Sequence, residues 1–243
     1  MLFFDPMYFL FLAPGILLAM WAQFRVHSAY SQASRILAQS GVSGAQAAAA
    51  LLDSAGVSVN TTLEDSPGVR GVRIQAVQGF MTDHYVPGQR ILRLSPDVYN
   101  GRSLAALGIA AHEAGHALQD AQRYPLLVLR NGLVPLASIG SNLSWIIIIA
   151  GFLLHMVGLV YLGIFAFALV VLFQVVNLPV EFDASRRARL ALVHTGLISD
   201  EEERTVANVL NAAALTYVAA TLTSILTLLY FLFRSGILGG RSR

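Results

Sequence analysis

The sequence predicts a mainly α, multi-pass membrane protein of about four spans, with a small α+β region at the membrane surface. Three observations predict it. The chain has 243 residues, is 56% hydrophobic and only 12% charged, with a mean hydropathy of +0.62; that is too apolar for an ordinary soluble domain. Residues 133–178 are almost free of charge. Most of the polar sequence is gathered in residues 25–132, where short alternating runs are interleaved with capped helical segments.

Composition also excludes chemistry. There is no cysteine, so thiol catalysis, disulfides and thiolate metal sites are ruled out. All 16 basic residues are arginine, so there is no lysine nucleophile or base. A net charge of +2, spread along the chain, does not suit nucleic-acid binding.

Residues 1–24 form the first transmembrane region, with 7–24 as the span and Trp21 suited to the interface. The segment carries Asp5 where a signal peptide has a basic region and shows no small-x-small cleavage site, so it reads as an uncleaved span. In 40–57, Ser43 caps a helix and Gly56 stops it. The alternating runs at 71–80 and 90–95 suggest strands of a small sheet or hairpin, connected through TDHYVPGQ (82–89). Ser103 then caps a long helix, 104–122.

The apolar block 133–178 would be about 69 Å long as one helix, against a hydrocarbon core about 30 Å thick. It therefore reads as a transmembrane hairpin of two spans, turning at HMVG (155–158) with His155 near the far interface. Ser141 and Asn142 are expected to open and cap a span. A polar surface segment follows (179–208), then the last span, 209–233, and a tail, 234–243, without regular structure.

The helix 104–122 carries IAAHEAGHALQ (109–119). His112 and His116, four apart, fall on one helical face and can hold a single ion. Glu113 lies about 100° round from His112, beside the open position of such an ion. There it can take a proton from a metal-activated water and return it to a leaving amine. The small neighbours Ala110, Ala111, Ala114, Gly115 and Ala117 let another backbone or a substrate approach closely.

A catalytic zinc site uses three protein ligands and a water. Position 122 is Gln, so a third histidine six residues on is absent and the third ligand is expected to be a carboxylate. Asp120 is rotated off the ligand face, and Asp200–Glu203 reads as a solvated helix start. Glu181 in LPVEFDASRRARLAL is better placed, since Pro179 can begin a helix on which Glu181 and Ser185 share a face. Between His116 and Glu181 the chain must cross the membrane an even number of times, and the apolar block supplies two crossings. Asp183 has two readings: it accepts from a ligand's free imidazole N–H, or it pairs with Arg186 or Arg187.

His84 and Tyr85 lie in a connection, where a functional side chain could stabilise an oxyanion; the alternative for His84 is a histidine bonded to its own turn. On the last span, Tyr217 is a candidate catalytic residue, whereas Asn211 better suits helix–helix hydrogen bonding. His27 and His194 have no motif around them and read as surface residues.

AAHEAGHALQ, DHYVP, LSPDVYNGRS, GSNLSW, LPVEFDASRRA and NAAALTYVAA, in that order over about residues 25–220, resemble the YugP-type bacterial membrane zinc metallopeptidases. The resemblance implies a multi-pass membrane zinc protease of the gluzincin kind, with a zincin-like catalytic region and one catalytic Zn2+. It is similar in layout to the heat-shock and CAAX-processing membrane metalloproteases, which place an acidic third ligand after a pair of spans, as Glu followed four residues later by Asp. Glu181 matches that ligand; position 185 is Ser, and the nearby acid is Asp183.

The implied activity is endopeptidase cleavage of membrane proteins or peptides by metal-activated water. A zinc hydrolase of lipids or small amides is the alternative. A membrane scaffold with a structural metal site is a third reading, against which Glu113 argues. The implied partners are the bilayer and protein or peptide substrates; no nucleic acid is expected, and no residue specifies a regulatory membrane partner. Arg25, Arg35, Arg123, Arg130, Arg186, Arg187, Arg189 and Arg204 lie near span ends on the catalytic side, against Arg234, Arg241 and Arg243 on the other. The positive-inside rule then places the site at the cytoplasmic face of the bacterial inner membrane. The C-terminal arginines run against it, unless the last helix stops short of crossing.

Overall fold

The computed structural model describes residues 5–60, 71–79 and 81–237. The tail expected at 234–243 begins at the end of a helix, and residues 238–243 lie outside the described residues, as do 1–4 at the head of the expected first span. The chain divides into two compact units. One comprises Met1–Gln23, Val128–Pro179 and Leu215–Arg243; the other comprises Phe24–Leu127 and Val180–Ala214.

The first unit is built from parts of four long helices: α1 (Pro6–Ala33), α5 (Pro125–Leu153), α6 (Val157–His194) and α7 (Asp200–Arg234). Each is long and apolar enough to cross a membrane. Their exposed side chains include Leu10, Leu17, Met20, Ile139, Ile146, Phe165 and Phe233, an apolar exterior that suits lipid rather than water. A methyl group on Gly140 would stand 2.9 Å from the Ala166 oxygen, and one on Gly151 would stand 2.7 Å from the Val160 nitrogen. The pairs 140–166 and 151–160 converge toward the turn at 154–156, so α5 and α6 form a tight antiparallel hairpin whose helices meet at small residues. His155 occupies that turn with a left-handed φ of 55°. Near the C-terminal end of α7, Tyr230 packs edge-on to Tyr8, with ring centroids 5.0 Å apart, and donates its hydroxyl to Asp5 Oδ2 at 2.9 Å.

These helices are longer than the apolar pattern alone suggests. Ser141 and Asn142 sit inside α5 and do not open it; the helix begins at Pro125, whose missing N–H suits a first turn, and Ser141 Oγ donates to the Ser138 carbonyl within the helix. Pro179 likewise lies within α6, two residues before Glu181, and does not start a helix. Asn211 is exposed on α7.

The second unit holds the α+β region. Its sheet has the order β1-β2-β4-β3, from β1 (Val59–Asn60), β2 (Val72–Ala76), β3 (His84–Val86) and β4 (Ile91–Leu94). β2 runs parallel to β1 and β4, while β3 is antiparallel to β4, pairing Tyr85 with Leu92. The stretch 82–89, read as a connection, thus contains the strand at one edge of the sheet. β2 and β4 are not two arms of one hairpin; the hairpin is β3–β4.

Two helices cover the core. In α2 (Gly44–Ser54), Ser43 and Gln46 form a reciprocal capping box. After the short α3 (Pro96–Tyr99), Ser103 Oγ accepts from the Ala106 N–H at 3.2 Å to start α4 (Leu104–Ala121). Leu51, Leu52, Leu92, Leu94, Leu107, Leu192 and Val206 are buried together between these helices, the sheet and the parts of α6 and α7 in this unit. The start of α7 is less solvated than its run of acids suggests. Glu202 is buried, caps Ser199 N–H reciprocally and accepts from the Gln39 N–H, and Glu203 pairs with Arg189.

Candidate metal centre

Helix α4 presents His112, Glu113 and His116 on a surface made mostly of alanine and glycine. The imidazoles of His112 and His116 stand edge to face, with centroids 4.8 Å apart. Opposite them is the α6 residue Glu181, almost fully buried. Its Oε2 lies 3.3 Å from His112 Nε2 and 3.6 Å from His116 Nε2. One nitrogen or oxygen from each of the three residues lies within 4.8 Å of the others.

The helices meet here because Gly115 has no side chain. A methyl at that position would stand 2.6 Å from the Ala184 oxygen, so α4 packs directly on the main chain of α6. The small residues of the motif have a structural use: they bring two helices close enough for their ligand atoms to converge.

These residues fit a zinc ion on two counts. Ligand atoms about 2.0–2.1 Å from a tetrahedrally bound zinc stand about 3.3 Å apart, close to the spacings between Glu181 Oε2 and the two Nε2 atoms. Moreover, Glu181 Oε2 is buried without a hydrogen-bond donor among the described residues. An orphaned buried carboxylate oxygen is costly unless a cation meets it. Electrostatics agree: burial alone would lower the His116 pKa, yet the neighbouring carboxylates of Glu181 and Glu113 outweigh burial and hold it above the ordinary value. The site attracts positive charge.

The outer nitrogens are also engaged. His112 Nδ1 faces Ser185 Oγ at 3.1 Å, and His116 Nδ1 faces Gln119 Oε1 at 3.0 Å. Asp183 does not reach an imidazole. It pairs with Arg186 and Arg187 and accepts the Gln119 amide at 3.0 Å, so Gln119 stands between it and His116. Ser185, where the resembled families have Asp, is the residue that bonds His112. Neither Gln119 nor Ser185 carries a motif of its own. Their spacing, three beyond His116 and four beyond Glu181, is the only signal in the sequence.

Glu113 is held from the sheet side. Its Oε2 accepts the Tyr85 N–H at 3.0 Å, and the Tyr85 hydroxyl donates to Asp120 Oδ2 at 2.8 Å. Edge strand β3 is thereby fastened to α4 at two points a helical turn or more apart. Burial and the Asp120 carboxylate push the Tyr85 phenol above its ordinary pKa, so it remains a donor. His84, next along β3, turns the other way: its exposed ring bonds the Thr82 carbonyl through Nδ1 at 2.7 Å. It is tied to its own turn through Nδ1. Tyr217 lies on α7 in the first unit, half-buried, whereas His112, Glu113, His116 and Glu181 all belong to the second.

Over residues 8–236 the chain matches the family described as "Putative neutral zinc metallopeptidase". The chain belongs to this family. A curated relative from Bacillus subtilis (strain 168), described as "Putative membrane protease YugP", is 44% identical over 226 residues, covering 93% of this chain and 95% of that one. No solved structure matches the chain.

Proposed function

We propose that this protein is a membrane-embedded, zinc-dependent endopeptidase that hydrolyses peptide bonds of membrane proteins or peptides at the cytoplasmic face of the bacterial inner membrane. The observation that carries the reading is the convergence of His112, His116 and Glu181 beside the carboxylate of Glu113. Family membership supports zinc and peptide hydrolysis, and the four apolar helices support the membrane.

His112, His116 and Glu181 would hold the ion through two nitrogens and one oxygen, leaving a position open. Zinc, when bound, supplies Lewis-acid polarisation of a carbonyl and acidifies water. Glu113 accepts the proton of the attacking water as its oxygen bonds to the carbonyl carbon. When the C–N bond breaks, Glu113 returns that proton to the amine nitrogen. A structural metal site has no use for a carboxylate at this place. The Tyr85 N–H keeps one oxygen of Glu113 fixed, so the other is left to move the proton.

Glu113→Gln tests the reading. The variant should lose cleavage of casein or a membrane-protein substrate while keeping about one zinc per chain. Retained cleavage would sink it. Such a variant also suits substrate trapping, because accumulated membrane proteins in cells carrying it identify the natural substrate.

A further inference from the structure

Gln119 is fully buried in the last turn of α4. A buried primary amide brings two N–H donors and one acceptor oxygen, each costly if left unpaired. Its Nε2 lies 2.8 Å from the Val180 carbonyl oxygen and 3.0 Å from Asp183 Oδ2. Both partners only accept: one is a main-chain carbonyl, the other a carboxylate paired with Arg186 and Arg187. The amide therefore has a single satisfied orientation, nitrogen toward α6 and oxygen toward His116.

That orientation decides the histidine. Gln119 Oε1 lies 3.0 Å from His116 Nδ1. A carbonyl oxygen cannot donate, so Nδ1 must carry the hydrogen. A neutral imidazole has only one, which leaves Nε2 with its lone pair. Nε2 is the atom that faces Glu181 Oε2, and an unprotonated nitrogen is what a metal requires of its ligand.

We infer that Gln119 is a positioning residue that selects the metal-binding tautomer of His116, its own orientation being set by Val180 and Asp183 of α6. The inference rests on reading His112, His116 and Glu181 as a zinc site. The same network orders the other ligand's helix. Asp183 is two residues from Glu181, and its partner Arg187 continues to Gln122 Oε1 and over the Tyr124 ring, 5.6 Å from its centroid. One chain of bonds thus sets an imidazole on α4 and fastens the α6 segment that carries the carboxylate. His112 has no equivalent, because Ser185 Oγ can either donate or accept and does not dictate a tautomer.

The test uses the purified full-length protein in detergent. Zinc affinity is read by competition with a chromophoric chelator, and the His116 Nδ1–H signal by NMR of 15N-histidine-labelled, zinc-loaded protein. Gln119→Leu removes both ends of the amide at similar volume. It should raise the zinc dissociation constant about ten- to a hundredfold, the range expected when such a supporting bond is lost, and abolish the protected Nδ1–H signal. Gln119→Glu keeps an acceptor for His116 but sets a carboxylate against Asp183, and should bind zinc more weakly than wild type. The double variant Gln119→Glu/Asp183→Asn restores a donor facing an acceptor at position 183 while the Val180 carbonyl stays unpaired, so affinity should recover in part, above that of Gln119→Glu; a merely space-filling Gln119 would show no such rescue. A Gln119→Leu affinity within twofold of wild type, or a double variant no better than Gln119→Glu, would overturn the inference alone. Wild-type protein that binds no zinc would overturn the site reading and this inference together.

Discussion

Gly115 lies so close to Ala184 that a methyl group on it would stand 2.6 Å from the Ala184 oxygen. No flexible side chain can yield there, because the obstacle is main chain. Gly115→Ala should push α4 and α6 apart, costing about 1–3 kcal/mol as an overpacked core does. The same displacement separates Glu181 from the two imidazoles. We expect the variant to fold with a lowered melting temperature and to bind zinc at least tenfold more weakly, measured by chelator competition. Zinc affinity equal to wild type would mean that the close approach has no part in building the site.

Tyr85 gives a second prediction, on the opposite side of α4. Tyr85→Phe deletes its bond to Asp120 but keeps the ring and the N–H that holds Glu113. One lost hydrogen bond costs about 0.5–1.5 kcal/mol, so the fold should survive with zinc content unchanged. With β3 held at one point instead of two, kcat should fall several-fold. The pH dependence has a definite sign. The folded phenol titrates above its ordinary value of about 10, so its contribution is complete below pH 10 and is lost as pH rises through the folded pKa. Wild type should therefore lose more stability than Tyr85→Phe in alkaline unfolding titrations; equal losses would exclude the bond's contribution.

The parts of this molecule that sequence makes legible are those with a period or a local rule. His112 and His116 share a face because a helix repeats every 3.6 residues, and Ser103 marks where that helix starts. Glu181 emerges by comparison with the other carboxylates, Asp120 and Asp200–Glu203, and the two crossings that the apolar block supplies agree with that choice. What stays hidden depends on contacts distant in sequence. β3 has three residues between a turn and a proline, too few for alternation to show, and is a strand only because β4 pairs with it. Gln119 looks like an incidental polar residue until Val180 and Asp183, more than sixty residues on, meet its amide. The Ser199–Glu202 capping box is different: its spacing is a local rule, yet the surrounding acids make it read as a solvated helix start.

Metal removal should show in stability as well as activity. Without a cation, Glu181 Oε2 is a buried oxygen with no donor among the described residues. A ligand at a hundred times its dissociation constant adds about 2.7 kcal/mol to the folded state, so chelation should lower the melting temperature by several degrees and zinc should restore it. Glu181→Ala removes the third ligand together with the orphaned oxygen. That variant should retain far less than one zinc after dialysis, and its melting temperature should respond little to chelator or to added zinc. A zinc-dependent shift as large as that of wild type would remove Glu181 from the ligand set.

The absence of cysteine makes the proposed orientation directly measurable, since any introduced thiol is the only one in the chain. Asp97 is exposed on α3 of the second unit, and Met156 is exposed in the turn between α5 and α6. If the arginine-rich side faces the cytoplasm, a cysteine at 97 should resist a membrane-impermeant maleimide in intact cells and react after the membrane is opened. A cysteine at 156, one span away, should react in intact cells. The reverse pattern would place the candidate metal centre outside the cytoplasm and leave the eight arginines without a topological role. A third cysteine, at Ser235 just beyond α7, decides the last span. Labelling from outside means that α7 crosses fully and that Arg234 is tolerated on the outer side, where it lies 3.6 Å from Asp5 Oδ2. Full crossing is the expected result, because α7 is long and apolar enough to span the bilayer.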